Sequence, residues 1–295
     1  MVLSELFHTS AQSCSSNVSQ AASRALVAVL ATVDTGILYE YNTILDKFIV
    51  DSMRFNFSSL ELQMAGLGII QCICRRCDSF AAFGTIVLPV VVKSMENHFG
   101  NVPLITTCCI IIRTISGKLE DWRVVVDTGA LKTVVNSFLV HSTSTELILE
   151  GIATIKDLAR KESFREYFNV EDAEVAIVSI LPLHFKNPDA VALIFASLNN
   201  IAVNTRTSKV ALMQLDVLRF IFSALDTFQH NHHVTRNACL LLKSYTYNAD
   251  NLNVIRSYRD AVISKLSVCS NSPQLETRDR ARYIIRKVRR DTIKP

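Results

Sequence analysis

The sequence predicts an all-α protein, a right-handed solenoid of stacked helical repeats, on three observations. First, Val27, Ile70, Ile112, Ile155, Leu198, Leu242 and Ile285 recur at gaps of 43, 42, 43, 43, 44 and 43 residues. A period in the low forties marks supersecondary units that bury their apolar faces only against neighbours. Second, the residues three after each anchor (Leu30, Ile73, Ile115, Leu158, Ile201, Tyr245, Val288) are all apolar. Those four before it (Ser23, Gly66, Cys108, Gly151, Ile194, Ala238, Ala281) are small, Ile194 excepted. Offsets of −4, 0 and +3 trace one face of a helix, and small residues at −4 let a neighbouring helix approach closely. Third, the 295 residues contain only eight Gly and six Pro, too few for a sandwich or barrel of short strands.

A second apolar helix is predicted in each period: Thr43 to Met53, Thr85 to Met95, Ala130 to Val140, Val175 to Phe185, Asp216 to Leu225 and Ala261 to Val268. Pro89 is expected near the start of the second of these, where the first turn tolerates it. Pro103, Pro188 and Pro273 fall 9 to 12 residues before an anchor, in the turn that leads into the anchored helix. The domain reading is a polar segment over 1–18, a solenoid over 19–290 and a tail over 291–295. The array begins and ends in the middle of a unit. Either the charged final helix serves as a polar cap, or the chain is part of a longer array.

Composition narrows the class further. Apolar residues make up 49% and charged residues 20%, which excludes disorder. The longest uncharged apolar runs, 79–92, 97–112 and 190–205, are short of about 18 residues and contain polar residues, so no membrane span is predicted. The first residues carry Glu5, no basic start and no long apolar stretch, so they do not read as a secretory signal. Eight cysteines without an export signal are expected as reduced thiols in a cytoplasmic or nuclear protein.

Three stretches carry a resemblance to a known family: 127–139 (DTGALKTVVNSFL), 150–159 (EGIATIKDLA) and 194–202 (IFASLNNIA). The pattern resembles the armadillo repeat family across about residues 19 to 290. The first stretch looks like the family's second helix, and the others like its third. The glycines before Leu67, Ala130 and Ile152 fit armadillo turns, which favours that family over the related two-helix HEAT repeats. The resemblance implies about six repeats plus a terminal helix, no enzymatic activity, and an extended peptide held in a concave groove of third helices.

In the family, an asparagine two residues after the anchor clamps the peptide backbone, since its amide both donates and accepts. That position here reads Val29, Cys72, Thr114, Asp157, Asn200, Ser244 and Lys287. Only Asn200 keeps the asparagine, with Asp157 and Ser244 as partial substitutes. Two residues before the anchor, where nuclear-import adaptors place tryptophan, stand Ala25, Gly68, Ile110, Ala153, Ala196, Leu240 and Tyr283. The sole tryptophan, Trp122, is expected in a loop, so import-signal recognition is disfavoured. Five residues after the anchor, Arg75, Arg160 and Arg290 share an offset that could line the groove, with Arg76, Arg113, Lys156, Lys161 and Arg206 widening the positive band. The candidate groove residues are thus Asn200, Asp157, Arg75, Arg160, Ala153, Ala196 and Ser244, and the expected ligand is an acidic or phosphorylated polypeptide.

The final helix gathers eight basic residues between Arg278 and Lys294, against Asp279 and Asp291. Arg282, Arg286, Arg289 and Arg290 are candidates for contact with an anionic surface. Tyr283 is the one aromatic there and no RNA-binding motif is present, so nucleic acid is disfavoured. Cys72, Cys74 and Cys77 form CxCxxC on a predicted helix, where the first two point to different sides, and His230, His232 and His233 read as a polar loop tip. No metal or cofactor is therefore expected. No phosphate loop, nucleophile elbow or His-Glu metal helix is present. The functional expectation is a protein-interaction scaffold. The alternatives are a structural subunit that packs through its solenoid ends, or a binder of nucleic acid or anionic surfaces through the final helix.

Overall fold

The computed structural model describes residues 42–76, 81–119, 123–164, 167–168, 172–203, 210 and 213–289; of residues 42–48, 75, 76, 81, 82 and 163 it describes the backbone alone. Val27, Cys77, Trp122, Arg206, Arg290 and Lys294, the segments 1–18 and 291–295, and the side chains of Arg75 and Arg76 therefore lie outside the described atoms.

The described chain is helical, with fourteen α-helices and no strand among the described residues. In order they are α1 (Asn42–Phe55), α2 (Leu60–Arg76), α3 (Ala81–Asn97), α4 (Val102–Lys118), α5 (Arg123–Asp127), α6 (Ala130–Val140) and α7 (Thr145–Leu158). After a 3-10 turn at Glu162–Phe164 come α8 (Ala173–His184), α9 (Pro188–Ala202), α10 (Val217–Thr227), α11 (His232–Tyr245), α12 (Ala249–Ser257), α13 (Arg259–Cys269) and α14 (Leu275–Arg289). The anchored helices are α2, α4, α7, α9, α11 and α14. The six second helices predicted from sequence are α1, α3, α6, α8, α10 and α13, within a few residues at each end.

Contacts divide the chain into two compact units, residues 1–137 and 138–295. In the first, α2 packs against α4, with α1 and α3 laid against them. In the second, α7, α9, α11 and α14 form a row in which each packs against the next, and α8, α10 and α13 back α9, α11 and α14. The anchors Ile70, Ile112, Ile155, Leu198 and Leu242 are all fully buried. Each contributes about 1.5–3 kcal/mol by leaving water. Register slips by one residue in α14, where Ile284 is buried and Ile285 is only half-buried.

The small residues at −4 serve the close approach expected of them. A Cβ on Gly151 would fall under 3.0 Å from the ring of Phe138 at the end of α6, and one on Gly66 would meet Met53 of α1. Cys108 Sγ, at the same offset, donates to the Val91 carbonyl of α3 at 3.6 Å. Gly66 and Gly151 thus sit inside helices as packing residues, and only Gly129 occupies a turn, at φ 70°. Asp172 (φ 50°) and Asp216 (φ 57°) stand 26 residues before their anchors, as Gly129 does, so three consecutive second helices begin from a left-handed residue.

Two further regularities hold the turns. Eleven residues before the anchors, Asn101, Asn187 and Asn231 cap α4, α9 and α11 by accepting backbone N–H groups at 2.9–3.2 Å. Ser144 takes the N-cap position of α7 without a side-chain bond. Fourteen residues before the anchors stand His98, His141 and His184. His98 Nε2 donates to the Phe57 carbonyl at 2.8 Å, and His184 Nε2 to the Ser142 carbonyl at 2.6 Å. Each spans about one period, tying the end of a second helix to the same turn one unit earlier.

The prolines depart from expectation in one place. Pro103 and Pro188 fall within the first turns of α4 and α9, where the missing N–H is unneeded. Pro89 lies in the interior of α3, because that helix starts four residues earlier than the apolar pattern indicated. Its ring is exposed, so the break in the hydrogen-bond ladder opens on solvent.

Substituting Gly151 with Ala should therefore cost about 1–3 kcal/mol in urea unfolding, because the Phe138 ring has no free volume to retreat into. Adding Phe138→Leu should restore part of the loss. A Gly151→Ala protein as stable as the parent would contradict this packing.

Candidate functional site

In the row α7–α9–α11–α14, positions −2, +2 and +5 lie one above another at spacings of four and three residues. Ala153 is 8% exposed, whereas Ala196, Asp157 and Asn200 are half-buried and Arg160 is exposed past the end of α7. These five stand on two adjacent helices of one unit and form the part of the expected groove that the structure assembles. In the other unit Cys72 and Thr114 are half-buried at the +2 position, and the Thr114 hydroxyl donates to its own helix at the Ile110 carbonyl, 2.8 Å away.

Hydrogen bonding changes the meaning of the asparagine offset. Asn200 Nδ2 donates to the Lys156 carbonyl of α7 at 3.0 Å. Its Oδ1 takes no hydrogen bond among the described residues. Asp157 pairs with Lys156 Nζ at 3.7 Å. Ser244 is a correction to the expected groove: it is 6% exposed, and its hydroxyl donates to Asn199 Oδ1 of α9 at 2.6 Å. Asn237 Nδ2 reaches the Ala192 carbonyl at 2.9 Å, and Ser197 Oγ the Ile152 carbonyl at 3.3 Å. These polar side chains stitch α9 to α7 and α11 to α9 about one period away. Of the flanking cations, Lys161 is half-buried, and burial holds its amine below the ordinary lysine range.

At the far end of the row the structure corrects the view of Tyr283 as a lone aromatic. Tyr247, 61% exposed after α11, lies with its ring centroid 6.2 Å from that of Tyr283. Lys243 Nζ stands 5.2 Å and Lys287 Nζ 5.8 Å from the centre of the same ring. On the neighbouring face of α14, Arg282, Arg286 and Arg289 are exposed. Arg282 Nε donates to the Ser270 carbonyl at 3.1 Å and Arg286 Nε to the Arg282 carbonyl at 3.3 Å. Glu276 accepts from Arg236 of α11 at 2.9 Å and from Arg280 at 3.1 Å, and the Arg236 guanidinium holds its carboxyl below the ordinary glutamate value of 4.5.

The cysteines behave as packing groups. Cys74, Cys108, Cys109, Cys239 and Cys269 are buried and Cys72 is half-buried, all as free thiols. Burial raises the Cys108 thiol well above its ordinary value. The hydrogen bond between Cys239 and Cys269 raises the first thiol and lowers the second. No group of three or more His, Cys, Asp or Glu side chains is placed to hold a metal among the described residues. His232 and His233 are not at a loop tip but open α11, their rings 3.7 Å apart behind the Asn231 cap. With His230, Thr235, Cys269 and Thr277, His232 borders an open cleft of about 630 Å³ at the α13–α14 turn.

The class this structure defines is an all-helical protein of helix-on-helix packing, and no described helix is long and apolar enough to cross a membrane. No family model and no curated protein matches the chain. Among solved structures it is similar to an engineered protein studied by a structural-genomics consortium, at 16% identity and a TM-score of 0.75, over 97% of this chain and 68% of that one. At that identity the likeness is one of fold.

If Asn200 and Ser244 stitch helices, each is part of the scaffold's stability. Asn200→Ala and Ser244→Ala should each lower the unfolding free energy by about 0.5–1.5 kcal/mol, with the larger loss at buried Ser244. An Asn200 used for ligand contact alone would leave the denaturation midpoint unmoved. The depressed Glu276 carboxyl gives a pH signature of defined sign: the Arg236 pairing stabilises above the ordinary glutamate value and is lost as pH falls through the lowered one. The stability gap between the parent and Arg236→Gln should therefore be present at neutral pH and salt-sensitive, and should close on acidification to about pH 3.

Proposed function

We propose that this protein is a non-enzymatic interaction scaffold of the armadillo type. In this reading about six repeats and a terminal helix wind into a right-handed solenoid, and an extended, acidic polypeptide lies along the third helices. The observation that carries it is the adjacent pair α7 and α9 in the row α7–α9–α11–α14, where the small residues Ala153 (buried) and Ala196 (half-buried) stand one turn before half-buried Asp157 and Asn200, with exposed Arg160 beyond. Small residues leave a trough, Asn200 Oδ1 can accept from a peptide N–H, and Arg160 makes no ion pair among the described residues. The short helices α5 and α12 ahead of α6 and α13 also suit the three-helix armadillo unit better than a two-helix one. The unbridged thiols fit a cytoplasmic or nuclear setting.

A second reading, attachment of nucleic acid or an anionic surface to α14, draws support from exposed Arg282, Arg286 and Arg289. The two separate in one experiment. Selection from a random-peptide display library should enrich acidic sequences, and Arg75→Glu/Arg160→Glu should weaken the enriched peptides by roughly tenfold or more. Unchanged affinity in that double variant would sink the groove reading. Binding of single-stranded RNA with a steep salt dependence, lost on reversing Arg282, Arg286 and Arg289, would favour the second.

A further inference from the structure

The cluster formed by Lys243, Tyr247, Tyr283 and Lys287 is not explained by packing. Its two ammonium groups stand over one ring, 5.2 and 5.8 Å from the centroid, and come from successive third helices, α11 and α14. Cation–π attraction holds both lysines over Tyr283 and so limits the freedom of two long, flexible side chains. Neither lysine has a carboxylate partner among the described residues. The nearest acid on this face of α14, Asp279, lies one turn before Tyr283 and forms no ion pair with them, and Glu276 is already shared between Arg236 and Arg280. Two half-exposed positive charges are thus gathered with no carboxylate paired to either among the described residues.

We propose that this cluster is a subsite for a phosphate monoester on the bound polypeptide, a phosphorylated side chain that reaches the end of the α7–α9–α11–α14 row. The inference rests on the reading of that row as a peptide groove and adds the chemistry of one position in it. Charge decides between candidate occupants. A carboxylate balances one ammonium, whereas a phosphate monoester carries about −1.5 to −2 at neutral pH and three acceptor oxygens, enough for both lysines at once. Base stacking is a poorer match, because the ammonium groups already occupy the space over the Tyr283 ring. The exposed Tyr247 ring supplies an apolar wall beside the charged pair, against which the residue next to the phosphorylated one can lie.

Three pools of 15-residue peptides, randomised except for a central phosphoserine, glutamate or serine, test the assignment by fluorescence anisotropy. The parent should bind the phosphoserine pool roughly tenfold more tightly than the serine pool, with glutamate between them, as expected of two partly exposed ion pairs. Lys243→Ala/Lys287→Ala should erase that preference. Tyr283→Phe, which keeps the ring, should retain it, and Tyr283→Leu should reduce it, all with unchanged thermal midpoints. Equal binding of the three pools, binding of none, or a preference that survives loss of both lysines would overturn the subsite. Displacement of the peptide by a single-stranded RNA oligonucleotide that depends on the same lysines would also overturn it. Pools that bind equally but respond to Arg160→Glu would overturn the subsite while leaving the groove reading in place.

Discussion

None of the described anchored helices can bury its apolar face alone, and the rest of the structure follows from that constraint. Leu198 and Leu242 reach full burial because the anchored helix before and the anchored helix after each supply one wall. Such contact demands that backbones come close, which is why the residue four before the anchor shrinks to Gly66 or Gly151, or to Cys108, whose thiol can bond the facing carbonyl. Close contact also sets the register from one unit to the next. A residue and its equivalent about 43 positions later become neighbours, so polar side chains can bond across the gap without crossing any other element.

The bonds from Asn200 to Lys156, Ser244 to Asn199, Asn237 to Ala192 and His184 to Ser142 all use that neighbourhood. Those of Ser244 and His184 satisfy buried groups, those of Asn200 and Asn237 half-exposed ones, and each bond depends on a one-period offset. A slipped register would leave every one of them unpaired at a cost of about 1–3 kcal/mol apiece. Hydrophobic burial drives the stacking, and these polar stitches select which stacking forms. The same logic explains the caps. Asn101, Asn187 and Asn231 begin their helices at the same distance from the buried anchor, so the apolar stripe always arrives at the interface in the same orientation.

Much of this was legible in the residues. The anchors and the six second helices follow from apolar periodicity alone, because burial has to be written in side-chain type. Other signals were present but need the period as a ruler: the Ser or Asn eleven residues before every anchor except Ile285, the His98, His141 and His184 series at −14, and Gly129, Asp172 and Asp216 at −26. Pro89 misled because α3 begins at Ala81, four residues before the start that the apolar pattern indicates, which puts the proline in the helix interior. The groove was harder to read for a different reason. A polar residue at a given helical offset can face solvent or turn sideways to the next helix, and the sequence is the same in both cases. Asn200 and Ser244 share an offset, but a rotation of one side chain buries Ser244 against Asn199 and leaves Asn200 half-exposed.

That ambiguity bears on how a recognition surface can change while its scaffold stays fixed. When the positions that would clamp a peptide are recruited to stitch helices, as Ser244 is, backbone clamps become fewer. Orientation must then come from side-chain chemistry elsewhere along the row. In the groove reading proposed above, cationic groups could supply it without loss of packing, because the Lys243 and Lys287 ammonium groups stand over the Tyr283 ring at the half-exposed edge of the row. Arg160 stands past the end of α7, where no interface needs it. Charges placed in this way discriminate by complementarity more than by affinity, so a polypeptide groove of the kind proposed would be weak for neutral chains and selective among acidic ones. Such a division of labour, with buried polar groups for register and peripheral cations for choice of ligand, lets partner preference drift without disturbing a single anchor.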